Sequence, residues 1–201
     1  MSIKTVLRQA QKYLCSHNIS GWLLYDYRGM NPIFWDTVGP ISNVTRPAWM
    51  WVPSQGDPRL LVSYVDQGRF THLGIPISLW VSQTDMISQL DELLTGFARI
   101  AMEYSPQGAL PRVSRIDAGT LEMIRGLGVE ILSSADLIQY ATQRWNDDQL
   151  RSHLVAAEKL GLIVQQAFTY IGNNLADGPT EYQVAEFIRQ RFREDGLEVT
   201  D

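Results

Sequence analysis

Asn146-Asp147-Asp148-Gln149 and, after a long apolar-periodic run, Gly178-Pro179-Thr180-Glu181-Tyr182-Gln183 set out the last part of this chain. Each contains a capping box, in which an Asn or Thr oxygen takes an orphan N–H and a Gln three residues on reaches back to the cap. The spacing predicts one helix from Asn146 and a second from Thr180, separated by the Gly178-Pro179 stop and closed by Gly196. Between the boxes, Leu150, Leu154, Ala157, Gly161, Val164, Phe168, Ile171 and Leu175 alternate steps of four and three and draw one seam along the first helix. Val184, Ile188 and Phe192 share a face of the second. A seam of this kind needs a cover, and the expectation is pairing with the same segment of another chain, or else folding back on the preceding domain.

Upstream the pattern changes. Val6, Leu7, Ala10, Tyr13 and Leu14 recur at helical spacing over Val6 to Ser16. Short β-prone runs follow at Trp22 to Tyr25, Ala48 to Val52 and Leu60 to Val62, the last two joined by the turn-rich Ser54-Gln55-Gly56-Asp57-Pro58 as a hairpin. Helical and extended signals then alternate: helix Asp66 to His72, strand Ile77 to Val81, helix Asp85 to Phe97, strand Arg99 to Glu103, helix Ala118 to Arg125, strand Val129 to Leu132. Alternation of this kind gives an α/β domain. Polarity rises over Ala141 to Asp148, which places the boundary there.

Composition narrows the function. The 201 residues are 45% hydrophobic, enough for a core, and the net charge of -5 with dispersed Lys and Arg lacks the positive field that nucleic acid requires. No apolar run reaches the length of a membrane span, and the N-terminus has no signal-like apolar region, so a cytoplasmic protein with neither membrane nor nucleic-acid partner is expected. Cys15 has no partner for an internal disulfide and is expected to be a buried bystander.

The series from Arg144 to Gln149, Ala156-Ala157, Gly178-Pro179-Thr180-Glu181 and Val184-Ala185 resembles the opening of the catalytic domain in the creatinase, prolidase and aminopeptidase P family of pita-bread metallopeptidases. Gly21-Trp22-Leu23-Leu24-Tyr25, with Asn31-Pro32-Ile33-Phe34-Trp35 after it, resembles that family's first strand and its Asn-led turn. Ile116-Asp117-Ala118-Gly119-Thr120 and Gly128-Val129-Glu130-Ile131-Leu132 follow in the family's order. Trp35-Asp36-Thr37-Val38-Gly39 and Trp145-Asn146 depart from its commoner wording. The resemblance implies a creatinase/prolidase-like N-terminal domain over residues 1–140, a mixed sheet flanked by helices, and an incomplete start of a pita-bread catalytic domain over 141–201.

In that family two divalent ions, Mn, Co or Zn, are held by two Asp, a His and two Glu from the pita-bread sheet. The resemblance places those ligands beyond the second helix, so neither a metal ligand nor a catalytic residue is assigned, and the chain alone is expected to be inert. His153 and Glu158 do not make a zinc-binding helix, Asp147 and Asp148 fit a first helical turn, and Ser133-Ser134 fits an N-cap. Asp201 receives no ligand role. Gly29 to Trp51 is dense in aromatics and turn formers and reads as a folded loop over buried tryptophans. Because the family's N-terminal domain often leans over the active site of its dimer partner, the resemblance makes Trp35, Asp36 and Arg46 candidates for contact with a short peptide across a homodimer. The implied parent is a Xaa-Pro dipeptidase or aminopeptidase P-like hydrolase. The alternatives are a creatinase-like amidinohydrolase and a non-catalytic protein-interaction module of the same fold.

Overall fold

The computed structural model describes residues 2–41 and 43–198, and the reading of Asp201 falls outside them. The chain divides into two compact units, Met1–Arg144 and Trp145–Asp201.

The first unit is built on β1 (Gly21–Asp26), whose six residues are all buried. Strand side chains alternate between faces, so a strand apolar throughout must be covered on both. Trp22 and Leu24 accordingly join one core, and Leu23 and Tyr25 the other. β2 (Ala48–Pro53) pairs antiparallel with β1 from Gly21 opposite Pro53 to Asp26 opposite Ala48, and turns through Ser54–Pro58 into antiparallel β3 (Arg59–Ser63). β4 (Ile77–Trp80) lies parallel to β3, β5 (Arg99–Met102) parallel to β1, and β6 (Glu130–Ser133) parallel to β5. The order is β4-β3-β2-β1-β5-β6, an open mixed sheet of six strands. Gly21 is required where it stands, because a Cβ there would lie 2.2 Å from the ring of Trp51.

Helices cover both faces. Val6, Ala10 and Leu14 of α1 (Ile3–Ser16) and Leu137, Ile138 and Ala141 of α6 (Ala135–Thr142) close one. Met86, Leu90 and Leu94 of α4 (Gln83–Leu94) and Ile124 of α5 (Ala118–Gly126) close the other. Two short helices, α2 (Pro32–Val38) and α3 (Gln67–Phe70), lie in the connections that leave β1 and β3.

Three expectations are corrected. The segment read as a loop contains α2, which has complete helix punctuation: Asn31 caps with its side chain, Pro32 opens the first turn, and Gly39 ends it at φ 93°. Cys15 is exposed, because it lies one residue past the Ala10 and Leu14 stripe and so off the buried face of α1. Ser134 stands at the N-cap of α6 without capping it; its hydroxyl lies 3.4 Å from Glu103.

The second unit is an αα-hairpin of α7 (Asp147–Asn173) and α8 (Glu181–Glu194). Both capping boxes are formed, with Asn146 Oδ1 accepting from Gln149 N at 2.8 Å and Thr180 Oγ1 from Gln183 N at 3.3 Å. Asp147 and Asp148 occupy the first turn of α7. The buried apolar positions of α7 are Ile163 and Ala167, beside the expected seam instead of on it, and they share an apolar groove with Val184, Ile188 and Phe192 of α8. Leu154, Val164, Phe168 and Leu175 of the seam remain exposed. No described helix is long and apolar enough to cross a membrane.

Candidate functional site

β1, β3, β4, β5 and β6 all run the same way, so their carboxyl ends share one edge of the sheet, and β2 starts there. In open α/β sheets this is the edge where ligands bind. The candidate residues stand at it, held by three buried carboxyl groups.

Asp26, the last residue of β1, is wholly buried. Its Oδ2 accepts from Gly29 N at 2.8 Å, and its Oδ1 accepts from Asn31 N at 2.7 Å and from the Trp35 indole at 3.1 Å. One carboxylate thus folds the turn after β1 and fixes the first candidate side chain. Trp35 packs edge-on to Phe34, with ring centroids 4.8 Å apart, and faces Phe70 of α3 at 6.4 Å. Asp36 is the next residue on α2 and is exposed, with no hydrogen bond or ion pair to any described residue.

Asp66, also buried, organises the entry to β2. Its Oδ2 accepts from Thr45 N and Arg46 N, each at 3.0 Å, and its Oδ1 takes the Arg69 Nε at 3.2 Å. The Arg46 backbone is therefore clamped while its exposed guanidinium meets, among the described residues, the Thr45 carbonyl at 3.3 Å. Phe70, four residues after Asp66, is the residue that faces Trp35, so α3 joins the two halves of the candidate segment.

Glu103 follows β5 at the same edge and is wholly buried. Oε1 accepts from the Trp22 indole at 2.6 Å and Oε2 from Asn31 Nδ2 at 3.1 Å, while Asn31 Nδ2 also donates to the Tyr25 carbonyl at 2.7 Å. Burial without a neighbouring cation pushes the carboxyl up to about 7, against the pull of its hydrogen bonds from Trp22, Tyr25, Asn31 and Ser134. Sequence reading missed all three carboxyls, since an acid in or beside an apolar run has no periodicity of its own. The available signal was that Asp26 and Glu103 each come directly after an apolar strand run, at Tyr25-Asp26 and Met102-Glu103, and that Asp66 comes three residues after the end of another.

His153 is exposed and packs on Trp145 at 4.4 Å, in keeping with a surface histidine. Among the described residues no three His, Cys, Asp or Glu side chains come together to hold a metal ion. The described residues therefore do not fit a two-metal centre. A recess of about 430 Å³ lies at the far end of the strands beside Trp51, Arg59, Gln89 and Phe97, away from the candidate residues.

Compared with solved structures, the N-terminal domain of an X-Pro dipeptidase from Streptococcus pyogenes matches at a TM-score of 0.51 and 14% identity, over 66% of this chain and 95% of that one. The sheet and its helices have the creatinase/prolidase N-terminal fold. Whole structures match as well: a prolidase from Thermococcus sibiricus at TM-score 0.58 and 14% identity, and a dipeptidase from Mycobacterium ulcerans at 0.57 and 17%. Each alignment covers 97% of this chain, and the chain spans about half of the other's length, 50% and 51%. No protein-family model matches the sequence, and the search of curated proteins found no match. Within the creatinase/prolidase N-terminal fold, Trp35 and Asp36 lie on the helix that follows the first strand, and Arg46 at the start of the second.

Proposed function

We propose that this chain is the non-catalytic N-terminal region of a Xaa-Pro dipeptidase or aminopeptidase P-like metallopeptidase, cytoplasmic and homodimeric. The carrying observation is that both units together, 97% of the chain, align with about half of a whole prolidase. In this reading, residues 1–140 are the substrate-shaping domain and 141–201 begin the pita-bread domain. The two divalent ions that activate water belong to the other half, and this chain alone does not turn over peptide.

The role of the described residues is then recognition. Arg46 offers a guanidinium fork to the carboxylate end of a short peptide, and Asp36 a carboxylate to its ammonium end. Trp35, held by Asp26, gives a flat apolar wall suited to a proline ring. Backbone clamping by Asp66 keeps Arg46 in place before substrate arrives, which lowers the ordering cost of binding.

The test has two arms. Chelator-treated 201-residue protein given Mn and a proline dipeptide should show no turnover, and stoichiometric metal uptake with turnover contradicts the reading. In a protein that joins this region to a metal-bearing half, Asp36→Ala and Arg46→Ala should raise KM or lower kcat/KM by roughly 10-fold, the scale of one lost charge-assisted contact. Unchanged kinetics in both variants removes the substrate role.

A further inference from the structure

Asn31 stands between two wholly buried carboxyl groups. Its backbone N–H donates to Asp26 Oδ1 at 2.7 Å and its side-chain amide to Glu103 Oε2 at 3.1 Å, while its own Oδ1 takes Ile33 N at 3.0 Å and so caps α2. Tyr27, Arg28, Gly29 and Met30 before it are exposed, whereas Asn31 is 2% exposed. Asn31 is therefore the plug between Glu103 and the water at this edge of the sheet.

We infer that Glu103 is a proton-dependent latch on the turn between β1 and α2: holding its proton keeps Asn31 seated and Trp35 and Asp36 placed, and losing it releases the turn. The latch belongs to the sheet unit alone and does not rest on the peptidase reading.

The surroundings favour the neutral acid. Of the four groups that touch the carboxyl, the Trp22 indole at 2.6 Å, the Asn31 amide and the Tyr25 backbone N–H can only donate. Ser134 Oγ, 3.4 Å from Oε1, is the one that can also accept, so it is placed to receive the carboxyl proton. No cation balances the ionised form. On β1, Asp26 is a second buried acid, bridged to Glu103 through Asn31, and the Tyr25 phenol belongs to the opposite face. Asp36 of α2 and Asp136 of α6 are exposed acids, and Lys4, Arg8 and Lys12 of α1 are exposed. Arg99 and Glu130 pair with each other at the far end of β5 and β6, and Arg115, in the loop after β5, gives its Nε proton to the Arg112 carbonyl. None of these makes an ion pair or hydrogen bond with the Glu103 carboxyl.

Linkage sets the direction. Burial raises Glu103 to about 7 against the pull of its hydrogen bonds, and water reaching it would restore the ordinary carboxyl range. The closed turn thus binds the proton more tightly than an opened, hydrated one, and by reciprocity loss of the proton favours opening. The closed state loses ground as pH rises from the ordinary 4.5, and the loss is complete above about 7.

The 201-residue chain tests this without any peptide. In the wild type, protection of the Gly29, Asn31 and Ile33 amides against hydrogen exchange should be up to ~100-fold lower at pH 8 than at pH 5, the scale set by that shift. Low urea should hardly change their exchange, the mark of a local opening, whereas amides of β1, β2 and β3 should respond to it. Glu103→Gln has no proton to lose and should make the protection of the three amides independent of pH. Asn31→Ser keeps an oxygen to cap α2 but withdraws the plug, so the Glu103 midpoint, followed by NMR at its carboxyl carbon, should fall. Three results would overturn the inference: equal protection of these amides at pH 5 and pH 8 in the wild type, a loss of protection as urea-sensitive as that of the central strands, or an Asn31→Ser midpoint no lower than the wild type's. None of them bears on peptide cleavage, which the metal and dipeptide assay reads separately.

Discussion

The two units bury their apolar residues to very different degrees. In the first, the three central strands are buried on both faces, and the charged groups that come inside are each met by donors. In the second, a 27-residue helix buries only Ile163 and Ala167 among its apolar side chains, and α8 buries none. Both units have well-made local structure: caps, stops and paired elements. Local signals alone therefore do not close a core; that takes a second layer, which the sheet unit has on each face and two paired helices do not make by themselves.

The largest expected difference follows directly. Leu60→Ala, at a fully buried site in β3, should cost about 2–5 kcal/mol of unfolding free energy by denaturant titration, through lost burial and a residual cavity. Leu154→Ala on α7 should cost at most ~0.5 kcal/mol when copies are kept dilute. Equal costs would erase the contrast between the units.

A somewhat smaller effect concerns pH. Glu103 has its folded pKa raised from 4.5 to about 7, so the folded state prefers the proton. Its contribution is fully present below the unfolded value and is lost as pH rises through about 7. The sheet unit should be less stable at pH 8 than at pH 5 by on the order of 2–3 kcal/mol from this group. Glu103→Gln, which stays neutral, should flatten that slope, and a slope unchanged in the variant would mean that another group sets it. Asp66 differs from Glu103 in having the Arg69 guanidinium 3.2 Å away.

A smaller effect again tests the helix ends. Thr180→Ala removes the cap of α8 and should cost about 1 kcal/mol, read as faster amide exchange in the first turn of α8 with the sheet unaffected.

Much of this arrangement was readable from sequence wherever one residue type has one local consequence. The capping boxes at Asn146 and Thr180, the Ser54 to Pro58 turn and the alternation of helix and strand after Asp66 correspond to elements of the structure, with ends displaced by a few residues. What escaped was context. α2 was hidden because Ile33, Phe34 and Trp35 are as good strand or loop residues as helix residues, and seven positions give too little period to decide. The three carboxyls depend on which strand end meets which loop, a tertiary fact. The buried line of α7 runs through Ile163 and Ala167 because that is where α8 arrives, and α8's position is not written in α7's own spacing. Trp35, Asp36 and Arg46 stand out in sequence as candidates within one aromatic-rich segment, whereas their anchoring by Asp26 and Asp66 exists only in the fold.

Native-state hydrogen exchange on the 201-residue chain, followed from dilute to concentrated protein, tests the contrast between the units most directly. β1, β2 and β3 should exchange only through global unfolding at every concentration, whereas α7 and α8 should exchange rapidly through local opening in dilute protein. Protection in α7 and α8 equal to that of β1 in dilute protein would contradict the account.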